Sequence, residues 1–367
     1  MPKVLIFSLA YLPFVGGAEV AIKEITDRLP DYEFEMITVN LDGKQKSEEK
    51  IGNVFIRRIG TGKQSKYFFP FAAAKLAEKL HLERKFDAIW AMMANQAGLA
   101  ALFFKKKNSE IPYLLTLQEG DSDFDIWLRT FFIRPWYNQI YRRADYIQAI
   151  SNFLANRAKK MGATCPVEVV PNGVDLGRIK KQESRNKENN KKIIITVSRL
   201  EKKNGIDILI KAFKELGIGN HELWIIGDGS LENDLKKLVR ELNLENQVKF
   251  IGKIEPDNIY NYLFQADIFV RPSRSEGLGN AFLEAMAASL PIIGTPVGGI
   301  PDFLEDDETG IFCKVDDPAD LAKKIKLLLN DNNLRENLIN NGKKLVEEKY
   351  QWNSVSIKMN DIFNKII

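Results

Sequence analysis

The sixteen residues from Arg271 to Met286, R-P-S-R-S-E-G-L-G-N-A-F-L-E-A-M, constrain this chain more than any other stretch. They continue an apolar run, Asp267-Ile268-Phe269-Val270, that reads as a buried strand. A glycine turn at Gly277-Leu278-Gly279 follows, and Asn280, a favoured capping residue, is expected to start a helix. From Ala281 to Ala288 that helix is apolar or small except at Glu284. A helix that is apolar all round is buried, so a lone carboxylate on it is costly unless something pairs with it. Glu276 stands just before the same turn, with seven residues between it and Glu284. Strand end, glycine turn and helix N-terminus together offer backbone N–H groups and the positive end of a helix dipole to an anion. Two carboxylates beside such a site suit a ligand with both hydroxyls and phosphates, as in a sugar nucleotide. The spacing alone equally allows two glutamates that only cap and pair inside an ordinary α/β domain.

The same alternation of strand and helix runs through the chain, which at 367 residues is long enough for two domains. Apolar runs predict strands at 4–9, 34–39, 54–59, 88–91, 113–117, 146–150 and 167–170, with helical patterns at 20–29, 71–83, 96–106 and 152–161. This predicts an α/β fold with a mainly parallel sheet covered on both faces. A second such series starts at Ile193-Ile-Ile-Thr-Val-Ser-Arg-Leu200. Residues 176–192, rich in Lys, Asn and Glu, read as a flexible linker. The expected boundaries are 1–175, the linker 176–192, 193–350, and a last helix in 351–367.

Several chemistries are disfavoured. Net charge is +4, too small to argue for a nucleic-acid partner, and the basic runs at Lys105–Lys107, Arg142-Arg143 and Lys159-Lys160 read first as solvated faces. Cys165 and Cys313 lie far apart, which suits a reducing compartment and no disulfide. With two histidines, neither near a motif, a Ser-His-Asp hydrolase or a histidine metal site is not expected. The loop after Gly16-Gly17 lacks the dinucleotide pattern G-x-G-x-x-G. The strand-like start and the interrupted apolar window at 88–104 predict a cytoplasmic protein without a membrane span. The segment W-L-R-T-F-F-I-R-P-W-Y-N-Q-I-Y-R-R, 127–143, can either rest its basic, aromatic face on an anionic membrane or pack within the domain with its arginines in solvent. Pro135 is expected to break or kink any helix there.

The stretch 271–286, together with L-P-I-I-G-T-P-V-G-G-I-P-D at 290–302, resembles the signature of retaining glycosyltransferases of family 4. The resemblance covers nearly the whole chain. It implies the GT-B architecture, two facing Rossmann-like domains with the active site in the cleft between them. The implied reaction carries a sugar from a nucleotide diphosphate donor, of UDP or GDP type, to a hydroxyl of a glycan, lipid-linked or other acceptor. The resemblance also implies that neither a metal nor a cofactor is required. Cell-envelope polysaccharide or glycolipid synthesis, with peripheral association at the inner membrane face, follows from the habits of that family.

Residue by residue, the resemblance gives Arg199 and Lys203 to the donor diphosphate, and Glu276 to the sugar hydroxyls near the reacting carbon. Glu284 would take the ribose hydroxyls, and the amides of Gly277, Leu278 and Gly279 would support the sugar. Gly16 and Gly17, in V-G-G-A-E, would face diphosphate and sugar, while Ile254 and Gly227 would border the nucleobase. Gln118 stands where the family carries a histidine, and with Glu119 and Asp121 it forms the expected sugar and acceptor side. The family's lysine before the glycine at 205 is Asn204 here, so Lys203 is given that role. These two departures keep open an inactive sugar-nucleotide-binding protein of the same fold. A nucleotide-sugar epimerase is the other alternative, and the placing of the histidines counts against it.

Overall fold

The protein is described here by a computed structural model, over residues 1–182, 191–217 and 219–367. It forms two compact units, Met1–Asn172 with Trp352–Ile367 and, separately, Gly173–Gln351.

In the first unit, strands β1 (Lys3–Phe7), β2 (Glu33–Val39), β3 (Glu48–Ile51), β4 (Val54–Ile59), β5 (Ala88–Met92), β6 (Tyr113–Leu117), β7 (Tyr146–Ala149) and β8 (Val167–Val169) form one sheet. Its order is β3-β4-β2-β1-β5-β6-β7-β8, and only the β3–β4 pair is antiparallel. Parallel strands covered on both faces need unbroken apolar sequence, and A-I-W-A-M and Y-L-L-T-L are buried at every residue. The sequence pattern missed β3. It reads E-E-K-I, and its charges suit an edge strand rather than a core one.

Helices α1 (Gly17–Thr26), α2 (Phe69–Arg84), α3 (Gln96–Lys107), α4 (Asp123–Thr130), α5 (Arg134–Arg142) and α6 (Asn152–Lys160) connect these strands. Pro135 does not kink a helix. It sits in the first turn of α5, where its missing N–H removes no helical bond, and a short 3-10 turn, Phe131–Ile133, separates α4 from α5.

The second unit has the sheet order β11-β10-β9-β12-β13-β14, parallel throughout. The strands are β9 (Lys192–Val197), β10 (His221–Ile226), β11 (Val248–Gly252), β12 (Ile268–Arg271), β13 (Ile292–Gly294) and β14 (Ile311–Phe312). Around it lie α7 (Leu176–Gln182), α8 (Ile206–Glu215), α9 (Glu232–Glu241), α10 (Pro256–Leu263), α11 (Asn280–Ala287), α12 (Pro318–Asn330) and α13 (Asn332–Lys349). The expected linker therefore begins as a helix, held where Asp175 accepts the N–H groups of Gly177 and Arg178 and pairs with the Arg178 side chain. Residues 183–190 of that linker lie outside the described residues.

The last helix, α14 (Trp352–Ile366), belongs to the first unit. Its Phe363 is fully buried against Tyr32, Phe34 and Trp90, with ring centroids 5.4, 6.1 and 5.5 Å away. Trp352, Val355, Met359 and Ile362 add an apolar stripe at helical spacing to the same core. No helix among the described residues is long and apolar enough to cross a membrane.

Candidate functional site

In an open parallel sheet the loops at the carboxyl ends of the strands carry the ligand. In the second unit, the loops after β9, β10, β11 and β12 carry most of the residues that the sequence placed on the donor: Arg199 and Lys203, Gly227, Ile254, and Glu276 to Gly279. Glu284 follows on α11.

Close backbone packing holds these loops together. Gly227 has φ +125°, and a Cβ there would lie 1.9 Å from the Ser198 carbonyl oxygen. A Cβ on Gly229 would fall 2.5 Å from the Leu200 oxygen, and the Leu200 N–H donates to the Asp228 carbonyl at 2.7 Å. The G-D-G turn is thus the backing of the Arg199 loop. Arg199 itself is exposed, and its guanidinium makes no hydrogen bond or ion pair among the described residues. Asn204 points the other way: it is buried and its amide donates to the Arg199 carbonyl at 2.6 Å. It fixes the loop's shape and presents no charge. Lys203 is half-buried, and its carbonyl accepts the N–H of Arg274 at 2.6 Å and of Ser275 at 3.3 Å.

Glu276 is paired with Arg271, and both side chains are largely shielded from solvent. The Arg271 fork also donates to the Val197 carbonyl at 3.2 Å and lies over the Phe282 ring, 4.8 Å from its centroid. The other Glu276 oxygen accepts the Gly277 N–H at 3.0 Å. The Gly277 amide, expected to support the sugar, here serves the protein's own carboxylate. The expected helix cap is corrected. Gly279, at φ +100°, is the capping residue of α11, and Asn280 is its first helical residue. A Cβ at Gly279 would meet the Phe282 ring at 2.9 Å and the Arg271 guanidinium at 3.0 Å, so the turn needs glycine.

Glu284, expected to find a partner, has none among the described residues. Its side chain is densely surrounded yet keeps some accessible surface. Burial raises its pKa to about 7, with the Arg271 charge acting in the opposite direction. The folded protein then holds a proton that the unfolded chain has already released between the ordinary carboxylate range and about pH 7. Stability from this group is complete below that range and is lost as pH rises through about 7. Glu284→Gln is expected to flatten this falling limb in urea unfolding curves compared at about pH 5 and about pH 8. An unchanged difference between the two would rule out Glu284 as its source.

Sequence reasoning missed three supports: Arg271, Arg274 and Gly298. Arg274 forks onto Asp207 at 2.9 and 2.8 Å, reaches the Lys202 carbonyl at 2.6 Å and pairs with Asp316 at 2.5 Å. Burial would raise the Asp207 pKa, but the Arg274 hydrogen bonds and charge bring it below the usual value. Gly298, at φ +58°, sits under the Glu276 carbonyl, 1.8 Å from where its Cβ would be. The two arginines inside R-P-S-R, just ahead of Glu276, were the available signal. Beneath these loops, the hydroxyls of Thr196, Ser198 and Ser273 and Nε of Arg271 are buried without a protein partner among the described residues, as happens where a site is built for a ligand.

The remaining expected residues belong to the first unit. Gly16 and Gly17 are exposed at the N-terminal end of α1, after β1. Gln118, after β6, is engaged in a reciprocal amide pair with buried Asn172, both bonds 3.2 Å. Glu119 accepts the N–H groups of Ala94 and, at 3.0 Å, of Gln118. Burial raises its pKa above the usual range, against those bonds and the Arg157 charge. Glu119 thus ties the loops after β5 and β6 together. Asp121 pairs with Arg129, while its carbonyl accepts from the fully buried Arg157 at 2.6 Å. Among the described residues no three His, Cys, Asp or Glu side chains are grouped to hold a metal ion.

Comparison with known proteins gives two family matches: Glycosyltransferase Family 4 over residues 15–178 and Glycosyl transferases group 1 over 177–345. An uncharacterized glycosyltransferase of Methanocaldococcus jannaschii is 28% identical over 365 residues, 99% of this chain and 98% of its own. The N-acetyl-alpha-D-glucosaminyl L-malate synthase of Bacillus anthracis is 25% identical, covering 97% of this chain and 95% of its own. Among solved structures, Anabaena HepE in complex with UDP and glucose superposes with a TM-score of 0.81 over 100% of both chains, at 18% identity.

Proposed function

We propose that this chain, which belongs to the family 4 glycosyltransferases of GT-B fold, transfers a sugar from a UDP- or GDP-type donor to a hydroxyl acceptor with retention of configuration. The observation that carries the reading is an exposed, unpaired guanidinium, Arg199, in the set of loops that also holds Glu276, with the carboxylate of Glu284 on the helix that follows them. An arginine fork suits a diphosphate, and carboxylates suit sugar hydroxyls. The UDP and glucose held by the Anabaena protein are consistent with such a donor.

In this reading the bond from the anomeric carbon to the diphosphate oxygen breaks, and its electron pair leaves with the diphosphate. Arg199, Lys203 and the amides of Leu278 and Gly279 stabilise that negative charge without a metal ion. The acceptor oxygen bonds to the same face of the sugar, and its proton passes to the departing diphosphate oxygen. Glu276, fixed by Arg271, orients the sugar; Glu284 in its ionised form accepts ribose hydroxyls. The acceptor is a glycan or lipid-linked hydroxyl of the kind used in cell-envelope synthesis.

Purified protein is tested against UDP-, GDP- and ADP-sugars without acceptor, beside Arg199→Ala and Glu276→Ala. One donor is expected to bind and to release nucleotide slowly, with release lost in both variants. Binding that gives no turnover with any acceptor would favour an inactive binder, the reading suggested by Asn204 and Gln118. No binding to any donor would overturn the proposal.

A further inference from the structure

The segment 124–136 presents apolar side chains outward. Phe124, Trp127, Leu128, Phe131, Ile133 and Trp136 are 41–68% exposed, and they are six of the fifteen large hydrophobic side chains exposed among the described residues. On α4 and its continuation, 124, 127, 128 and 131 follow the i, i+3, i+4, i+7 spacing of one helix face. Ile126 and Thr130 occupy the opposite, buried face. The outer face is ordered: Phe124 stacks on Trp127 with centroids 6.1 Å apart, and Phe131 meets Trp127 edge-on at 5.1 Å. A helix whose apolar stripe points away from its own core needs another apolar phase to cover it.

The charges around this face indicate what covers it. The acidic side chains of the segment are occupied: Asp121 by Arg129, Asp123 by Arg157 at 2.8 Å, and Asp125 by the Ser122 hydroxyl at 2.6 Å. The exposed cations Lys106, Arg142 and Arg143 have no ionic partner among the described residues. Arg143 lies seven residues after Trp136 and so shares its helix face. Beside it a cavity of about 540 Å³ is lined by Lys105, Lys106, Arg142 and Arg143, with Lys105 already paired to Asp145. Indole and phenyl rings flanked by free arginines match the boundary between acyl chains and anionic headgroups.

We propose that the outer face of α4 and α5 docks on an anionic lipid bilayer surface. The face is coupled to the loop that the transferase reading assigns to the acceptor. Arg157 grips both the Asp121 carbonyl and the Asp123 carboxylate, and Arg129 on α4 holds the Asp121 side chain. Docking therefore brings residues 118–123 to the membrane surface, where an amphiphilic, lipid-linked acceptor resides. Only this last consequence rests on the transferase reading.

The test is co-sedimentation of the full chain with phosphatidylcholine vesicles, with and without phosphatidylglycerol, at low and high salt. Wild type is expected to pellet with the anionic vesicles, and to do so less at high salt. The Trp127→Ser/Trp136→Ser and Arg142→Glu/Arg143→Glu variants are each expected to bind roughly tenfold more weakly. Both pairs are exposed, so folding is checked by circular dichroism, and donor hydrolysis without vesicles should stay at the wild-type level. Absence of vesicle binding, or binding indifferent to the tryptophan pair, overturns the proposal. Self-association in sedimentation equilibrium that disappears in the tryptophan variant would give the face to a second copy of the chain and equally overturn it. Vesicle binding by a protein that binds no donor leaves the docking standing and removes the transferase reading alone.

Discussion

Replacing Gly298 with alanine is expected to destabilise the second unit by about 2–4 kcal/mol and to lower transfer on the order of 100-fold. Two costs combine at this position. At φ +58° any side chain is strained, and the new methyl group would lie 1.8 Å from the Glu276 carbonyl oxygen and 3.1 Å from its nitrogen. No flexible side chain can yield there, because both contacts are backbone. The backbone of Glu276 must move, and its carboxylate moves with it. Gly252→Ala is the matched control. Gly252 also has positive φ, +82°, but a Cβ there meets nothing within 4 Å. It should lose only the conformational part, about 1 kcal/mol. Thermal unfolding and transfer rates of the two variants decide the matter. Equal losses in both would mean that the contact with Glu276 has no role.

Removing the guanidinium in Arg271→Met is expected to cost about 3–5 kcal/mol of stability, the usual consequence of leaving one member of a shielded ion pair unpartnered. At a pH high enough to keep Glu284 ionised, the effect on transfer should be on kcat rather than on donor KM, on the order of 100-fold, because Arg271 sets where the Glu276 carboxylate points. Arg271 is a positioning residue in this account. Arg271→Lys keeps the charge and should restore part of the rate. It should not restore all of it, since a single ammonium cannot serve both Glu276 and the Val197 carbonyl with the same geometry. A second readout separates positioning from plain stability. Arg271 is the charge that favours ionised Glu284, so in Arg271→Met the pH at which donor binding strengthens should move upward from about 7. Lost stability with an unchanged kcat and pH profile at permissive temperature would reduce Arg271 to a structural role.

What could be read from the sequence divides along a physical line. Strands buried on both faces announce themselves through short apolar runs, and Tyr113–Leu117 and Val54–Ile59 have the bounds expected for them. Glu48–Ile51 carries no such signal, since an edge strand is paired on one side and tolerates charge. The two-residue β14 is too short to leave any pattern. At the candidate site, the glycine turn and both carboxylates are visible in the sequence, but their partners are not. Arg274 meets Asp207 across 67 positions, and Gln118 meets Asn172 across 54. Spacing rules describe neighbours on one element and say nothing of such pairs. The cap of α11 shows the limit on a smaller scale. Asn280 is the better capping residue by preference, yet the crowding of Phe282 and Arg271 demands glycine one position earlier.

The return of α14 to the first unit has a consequence for how the chain is made. Residues 1–172 are synthesised before α14, and Tyr32, Phe34 and Trp90 lack Phe363 as a neighbour until that helix has left the ribosome. The segment 173–351, in contrast, is complete in itself as soon as it has emerged. The first unit therefore closes its core only after the second has been made, and a ribosome that stalls before Trp352 leaves residues 1–172 with their aromatic interior open to chaperones and proteases.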